Sequence, residues 1–237
     1  MTKNVDYSLV GGIARIAIDD GKNNVMSIGL LRSLHECLDR AEGEADVVLL
    51  LGRPGMFSAG FDLQVFARRD PEEVRTMMVL GAELALRTLE FPRPVVAGCT
   101  GHAYPMGAFL LLASDYVVGA TGQFRIGLNE VAIGLTLPRF AVELARATLA
   151  PHFFNRLVTG EMLDPTLARE AGYLDQLAPA DQLEASAMVV ADGLTRIDRK
   201  AHRETKARIR GAAAATVRRA IDDELTIERF SRVAADT

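Results

Sequence analysis

The sequence predicts an α/β fold, a core of strands alternating with helices followed by a helical last third. Three observations carry this. Val47–Leu51 and Val95–Cys99 are short, wholly apolar runs, the signature of parallel strands covered on both faces. Between such runs lie stretches whose apolar residues repeat at helical spacing behind clear start signals. After Gly134 the pattern is mostly helical. At 237 residues, 49 % of them apolar, the chain is large enough for one compact domain with a sizeable core.

Tyr7–Val10 and Ile13–Asp19 are expected to pair as a hairpin across Gly11-Gly12. Ser27 can cap a helix over 28–42, in which Leu30, Leu31, Leu34 and Leu38 share one face. Asp70-Pro71-Glu72-Glu73 opens a second helix. Asp70 caps, Pro71 takes the first helical position, and the carboxylates sit at the positive helix end. That helix runs to about Glu90 and stops before Pro92 and Pro94. A further helix begins near Pro105, and Tyr116–Ala120 returns as a strand. Helices are then expected over Pro138–Leu149, Pro151–Thr159 and from Asp164-Pro165 to the stop at Gly172. Tyr173–Leu177 reads as a short strand, and two or three helices finish the chain. We divide the chain into a core over residues 1–178 and a C-terminal helical region over 179–237. The latter belongs to the same domain or is an appendage used for assembly.

Composition narrows the function. The formal charge is −4, and the most basic stretch, His202–Arg210, reads as one helix face, so a general affinity for nucleic acid is not expected. No apolar run approaches the ~20 residues of a membrane span. Cys37 and Cys99 lie in apolar surroundings without metal-type spacing, and Met1–Asp6 lacks a signal-peptide pattern, so a cytoplasmic protein with reduced thiols is expected. The four histidines, His35, His102, His152 and His202, do not cluster, so no metal site is expected. Anionic small molecules remain possible ligands.

Three segments carry candidate chemistry. In Phe57-Ser58-Ala59-Gly60-Phe61-Asp62-Leu63, small residues let backbone approach a ligand and Asp62 can cap the next turn; the ordinary alternative is a plain strand-to-helix turn. Ser58 has no evident His–Asp partners, so a nucleophilic role is not indicated. In Gly101–Phe109, Pro105 fits the first helical position and leaves the Met106 N–H as an orphan donor suited to a developing oxyanion. Gly107 permits close approach. In Ile126–Gly134, Glu130 is a lone carboxylate between glycines in apolar surroundings, where a raised pKa suits a base that takes and returns a proton. A solvated loop glutamate is the commoner reading of such a residue. Glu143, on a later helix, is a second candidate acid, better read as an ion-pair residue.

In order and spacing, these three segments resemble the crotonase superfamily of enoyl-CoA hydratases and isomerases, and the resemblance covers about the whole chain. It implies a spiral of ββα units with a helical C-terminal trimerisation region, assembled as a homotrimer or a dimer of trimers. It also implies an acyl-CoA thioester as substrate, with coenzyme A entering as part of it and no separate cofactor. The thioester oxygen would be held by the N–H groups of Phe61 and Met106, and the adenine by backbone groups of Ala59, Phe61 and Leu63, with Gly60 between them. The family's hydratases carry two glutamates. One maps onto Glu130 and the other onto Phe109, which cannot activate water. The wording Ile126-Gly-Leu-Asn-Glu130 instead resembles the family's Δ3,Δ2-enoyl-CoA isomerases, in which one glutamate shuttles a proton. The alternatives are a hydratase or a non-catalytic acyl-CoA-binding member. Gln64 stands where many relatives have a lysine near the CoA phosphates, and Lys22, Arg53 or Arg68 are the candidate substitutes.

Overall fold

The computed structural model describes residues 4–235, with side chains through Ser231. In chain order the elements are β1 (Val5–Val10), β2 (Ile13–Ile18), β3 (Val25–Met26), α1 (Ile28–Glu44), β4 (Val47–Leu51), β5 (Gly55–Ser58), β6 (Gly60–Phe61), α2 (Leu63–Ala67) and α3 (Pro71–Glu90). Then come β7 (Val95–Cys99), β8 (Gly101–Ala103), α4 (Pro105–Ala113), β9 (Tyr116–Ala120), α5 (Arg139–Thr148), α6 (Pro151–Arg156) and α7 (Pro165–Ala171). The chain closes with β10 (Gln176–Ala178), α8 (Leu183–Leu194), α9 (Arg199–Glu224) and α10 (Ile227–Ala235).

One six-stranded sheet has the order β1-β2-β4-β7-β9-β10. Its β1–β2 pair is the expected antiparallel hairpin, and its other pairs are parallel. β4 shows why its sequence is apolar throughout. Val48 and Leu50 point into the core shared with α1, α3 and α4, while Val47, Leu49 and Leu51 point to the opposite face. That opposite face is covered by α8 through Leu183, Ala187 and Ala191. The first helix after residue 178 therefore completes the core. α9 is tied down as well, because Lys206 pairs with Asp115 at 2.7 Å and Arg210 pairs with the same carboxylate at 3.2 Å. A buried lysine is stable only with such a partner.

Two expectations need correction. The strand near Tyr173 begins three residues later, at Gln176. Gly172 ends α7 in the left-handed region (φ 101°), and the Tyr173 N–H still bonds the Ala168 carbonyl at 2.9 Å, so Tyr173 belongs to the helix stop. The helix from Pro151 ends at Arg156 and tightens into a 3-10 turn over Leu157–Thr159. Four short strands, β3, β5, β6 and β8, add to the elements expected from sequence. They form two separate parallel pairs, β3–β6 and β5–β8, and both pairs lead into the candidate site.

Candidate active site

The first loop is built by polar side chains that hold backbone. Asp20 accepts the N–H groups of Lys22, Asn24 and Val25. Burial alone would raise its pKa, but those bonds hold it below the usual carboxylate range. Asn24 is fully buried, and its side-chain amide donates to Ile18 O at 2.8 Å and to Met56 O and Phe57 O at 3.2 Å each. The Ser58 hydroxyl donates to Asn24 O and accepts the Gly60 N–H. It is buried, and both of these bonds hold backbone. Asp62 caps α2 by accepting the Gln64 N–H at 2.9 Å. Of these, the sequence reading missed Asp20 and Asn24. The run of turn-forming residues Asp20–Asn24 was the available signal.

Gly60 is the point where the first two segments meet. Its φ of +90° favours glycine, and a Cβ added there would lie 3.6 Å from Pro105 Cδ and 3.8 Å from the Met106 nitrogen. The Met106 N–H has no acceptor among the described residues, as expected for the second residue of a helix that begins with proline. Any side chain at position 60 would thus crowd the space in front of that donor. Phe61 pairs with Met26 in β3–β6. Gly107 also has a packing role. A Cβ there would meet Ser58 Cβ at 2.9 Å, so its smallness lets α4 pack on β5.

Glu130 joins them through β8. Ile126 is bridged to Ala103 on one side and to Leu163 on the other, and the Gly127 N–H bonds Ala103 O at 3.1 Å. The two chain segments therefore leave the same point, one to Met106 and the other to Glu130. Glu130 opens a 3-10 turn (Val131–Ile133), and its carbonyl accepts the Leu135 N–H at 2.8 Å. The residue is only 7 % exposed, and its Oε2 has no hydrogen-bond partner among the described residues. Burial pushes its pKa up to about 7, against a smaller opposing pull from its own backbone N–H. Residues 131–136, which follow, are all exposed and include Val131, Ile133 and Leu135, an apolar lip beside the buried carboxylate.

The other named residues fall into place around this centre. Phe109 is fully buried, its ring edge-on to Phe140 with centroids 5.3 Å apart, so it packs as core. Ala59 donates its N–H to Asn23 O, and Leu63 stands exposed at the start of α2. Arg53 is paired with Asp19, and Arg68 is held by both oxygens of Glu73. Lys22 is exposed and makes no ion pair among the described residues. His102 stacks on Tyr104, and its Nδ1 accepts the Arg125 N–H. Glu143 pairs with Arg146 one turn on. A groove of about 480 Å³ lies between Thr121–Arg125 and Asp164–Thr166, but its one carboxylate, Asp164, is occupied in capping α7. Among the described residues no cluster of three or more His, Cys, Asp or Glu is placed to hold a metal, and no helix is long and apolar enough to cross a membrane.

An orphan N–H at a helix start, a glycine opening the space before it, and a buried carboxylate of raised pKa together suit proton abstraction next to a carbonyl. Known proteins resemble the chain over most of its length. The family model for enoyl-CoA hydratase/isomerase matches residues 9–232. A crystal structure of an enoyl-CoA hydratase/isomerase family protein from Pseudomonas syringae is 38 % identical, with a TM-score of 0.92 over 94 % of this chain and 97 % of that one. The human mitochondrial enoyl-CoA delta isomerase 1 is 28 % identical over 86 % of this chain and 69 % of its own length. A putative enoyl-CoA hydratase of Thermus thermophilus is 32 % identical over 77 % and 74 %. The chain belongs to the enoyl-CoA hydratase/isomerase family, and its fold is that of the crotonases.

Proposed function

We propose that this member of the enoyl-CoA hydratase/isomerase family is an enoyl-CoA isomerase that moves a 3,4 double bond into conjugation with the thioester. The observation that carries this reading is the asymmetry of the acid–base groups. Glu130 is a buried carboxylate with a free oxygen, and Phe109 packs as core where a hydratase would need its second carboxylate. Hydration requires a water that is both held and activated, and one carboxylate serves that poorly. Isomerisation needs one base and one oxyanion site.

In the proposed reaction the Glu130 carboxylate takes a proton from C2 of a 3-enoyl-CoA. The C–H electron pair moves into the C1–C2 bond, and the thioester oxygen gains the charge. The N–H groups of Phe61 and Met106 stabilise that oxyanion; losing one such donor typically costs ~100- to 1,000-fold in rate. Glu130 then returns the proton to C4, which leaves a C2–C3 double bond. Ala59, Gly60 and Leu63 are proposed to frame the CoA moiety. Lys22 is the proposed phosphate contact, because Arg53 and Arg68 are committed to carboxylates. The apolar lip at Val131, Ile133 and Leu135 is the proposed wall for the acyl chain. A panel of 2-enoyl-, 3-enoyl- and 3-hydroxyacyl-CoA esters with product identification tests this. Conversion of 3-enoyl- to 2-enoyl-CoA is expected to dominate. Hydration as the dominant reaction would replace the proposal with a hydratase, and binding without turnover would replace it with a carrier.

A further inference from the structure

The Tyr173 hydroxyl shares the unusual state of Glu130 Oε2: it is buried and without a hydrogen-bond partner among the described residues. The whole residue is only 2 % exposed. A buried donor and a buried acceptor, both unsatisfied, are each unfavourable alone and complementary together. The backbone brings the segments that flank them together. Leu163 exchanges two backbone hydrogen bonds of 2.9 Å with Ile126, four residues before Glu130. Leu163 and Tyr173 line the same small cavity, about 10 Å³, with Phe153 and Leu157. Gly160 packs so closely on the turn that Glu130 opens that a Cβ there would lie 2.6 Å from the Ala132 nitrogen. Tyr173 also feels the Glu130 charge: burial is the main reason its pKa is raised, and Glu130 adds to it. The phenol therefore stays protonated, which makes it a donor. The other charged groups on the cavity, Arg156 and Glu161, are paired with each other at 2.5 Å.

We propose that Tyr173 is a positioning residue whose hydroxyl donates to Glu130 Oε2 once that carboxylate is ionised, leaving the other oxygen to take the substrate proton. The inference rests on the proposed role of Glu130 and adds to it a reason for one oxygen to be the base. It has a definite pH consequence. A hydrogen bond to the charged form lowers the pKa of a carboxyl group, so removing the donor raises it.

Tyr173→Phe deletes one oxygen and keeps the ring, so the core packing survives. Two readings are required on the folded variant: the infrared titration of the Glu130 carboxyl, isolated by difference against Glu130→Gln, and the acid limb of kcat/KM. Both are expected to move to higher pH by about one unit, with kcat lowered and KM little changed. A melting temperature that shifts while both pH readings stay in place would reduce Tyr173 to a packing residue and overturn the proposal. If Tyr173→Phe does not fold, 3-fluorotyrosine at 173 serves instead. As a stronger donor of the same shape it must move the Glu130 titration downward, and an unmoved titration again overturns the proposal. The infrared arm needs no turnover, so it separates failure of this pairing from failure of the isomerase assignment.

Discussion

The Glu130 carboxyl keeps its proton until about pH 7, because burial strips the ionised form of water. A base must be ionised to act, so kcat/KM is expected to rise with pH through about 7 and then level; a profile already flat from pH 5 upward would contradict this. The same shift has a stability consequence. The unfolded chain ionises this glutamate near its ordinary value, and the folded chain resists ionisation up to about 7. The folded state therefore loses up to about 3 kcal/mol as pH rises across that window. Glu130→Gln should melt higher than the parent above pH 7 and lose that advantage below pH 4.5, as calorimetry at several pH values would reveal. Phe109 is the second decisive residue. Phe109→Glu removes a buried ring from Phe140 and buries a carboxyl group, which should destabilise the fold by about 3–5 kcal/mol. In a variant that remains folded, hydration of 2-enoyl-CoA should increase. A stable variant with no gain would mean that the missing carboxylate does not set the reaction.

At the level of elements, the site depends on β6 reaching the start of α4. Gly60→Val places a branched side chain against Pro105 and the Met106 nitrogen and forces a β-branched residue to φ +90°. Acyl-CoA affinity should fall at least about tenfold, roughly 1.4 kcal/mol; calorimetry on a folded variant with unchanged affinity would remove the first loop from the site. The long elements are legible in the sequence because periodicity and caps are local. Ser27, Asp70 and Asp164 all cap the helices that follow them. The two short strand pairs are not legible. Strands as short as β3 and β6 leave no periodic trace, and their pairing is decided by distant chain. Gly107 and Phe109 read as site residues from their position in a motif. Their packing partners, Ser58 and Phe140, are set only by the fold. Tyr173 carries no local signal, because its significance arises from Glu130, more than forty positions away in sequence.

On the scale of the whole molecule, the C-terminal helices both complete the core and present apolar side chains to solvent. Val189 on α8 and Ile209 on α9 are each more than 70 % exposed, as expected of surfaces that a second copy covers. We expect a trimer of about 77 kDa from the 25.7 kDa chain; sedimentation that finds only monomer at micromolar concentration would contradict this. In the proposed reaction the chemistry reduces to one proton carried by one residue, and Glu130→Gln tests that proposal most directly. The substitution keeps the shape of the side chain and removes the base. With 3-enoyl-CoA as substrate, isomerisation should fall by about 100-fold or more, while calorimetry shows acyl-CoA still bound with near-parent affinity. Isomerisation of 3-enoyl-CoA by the Glu130→Gln variant at nearly the parent rate would contradict the account.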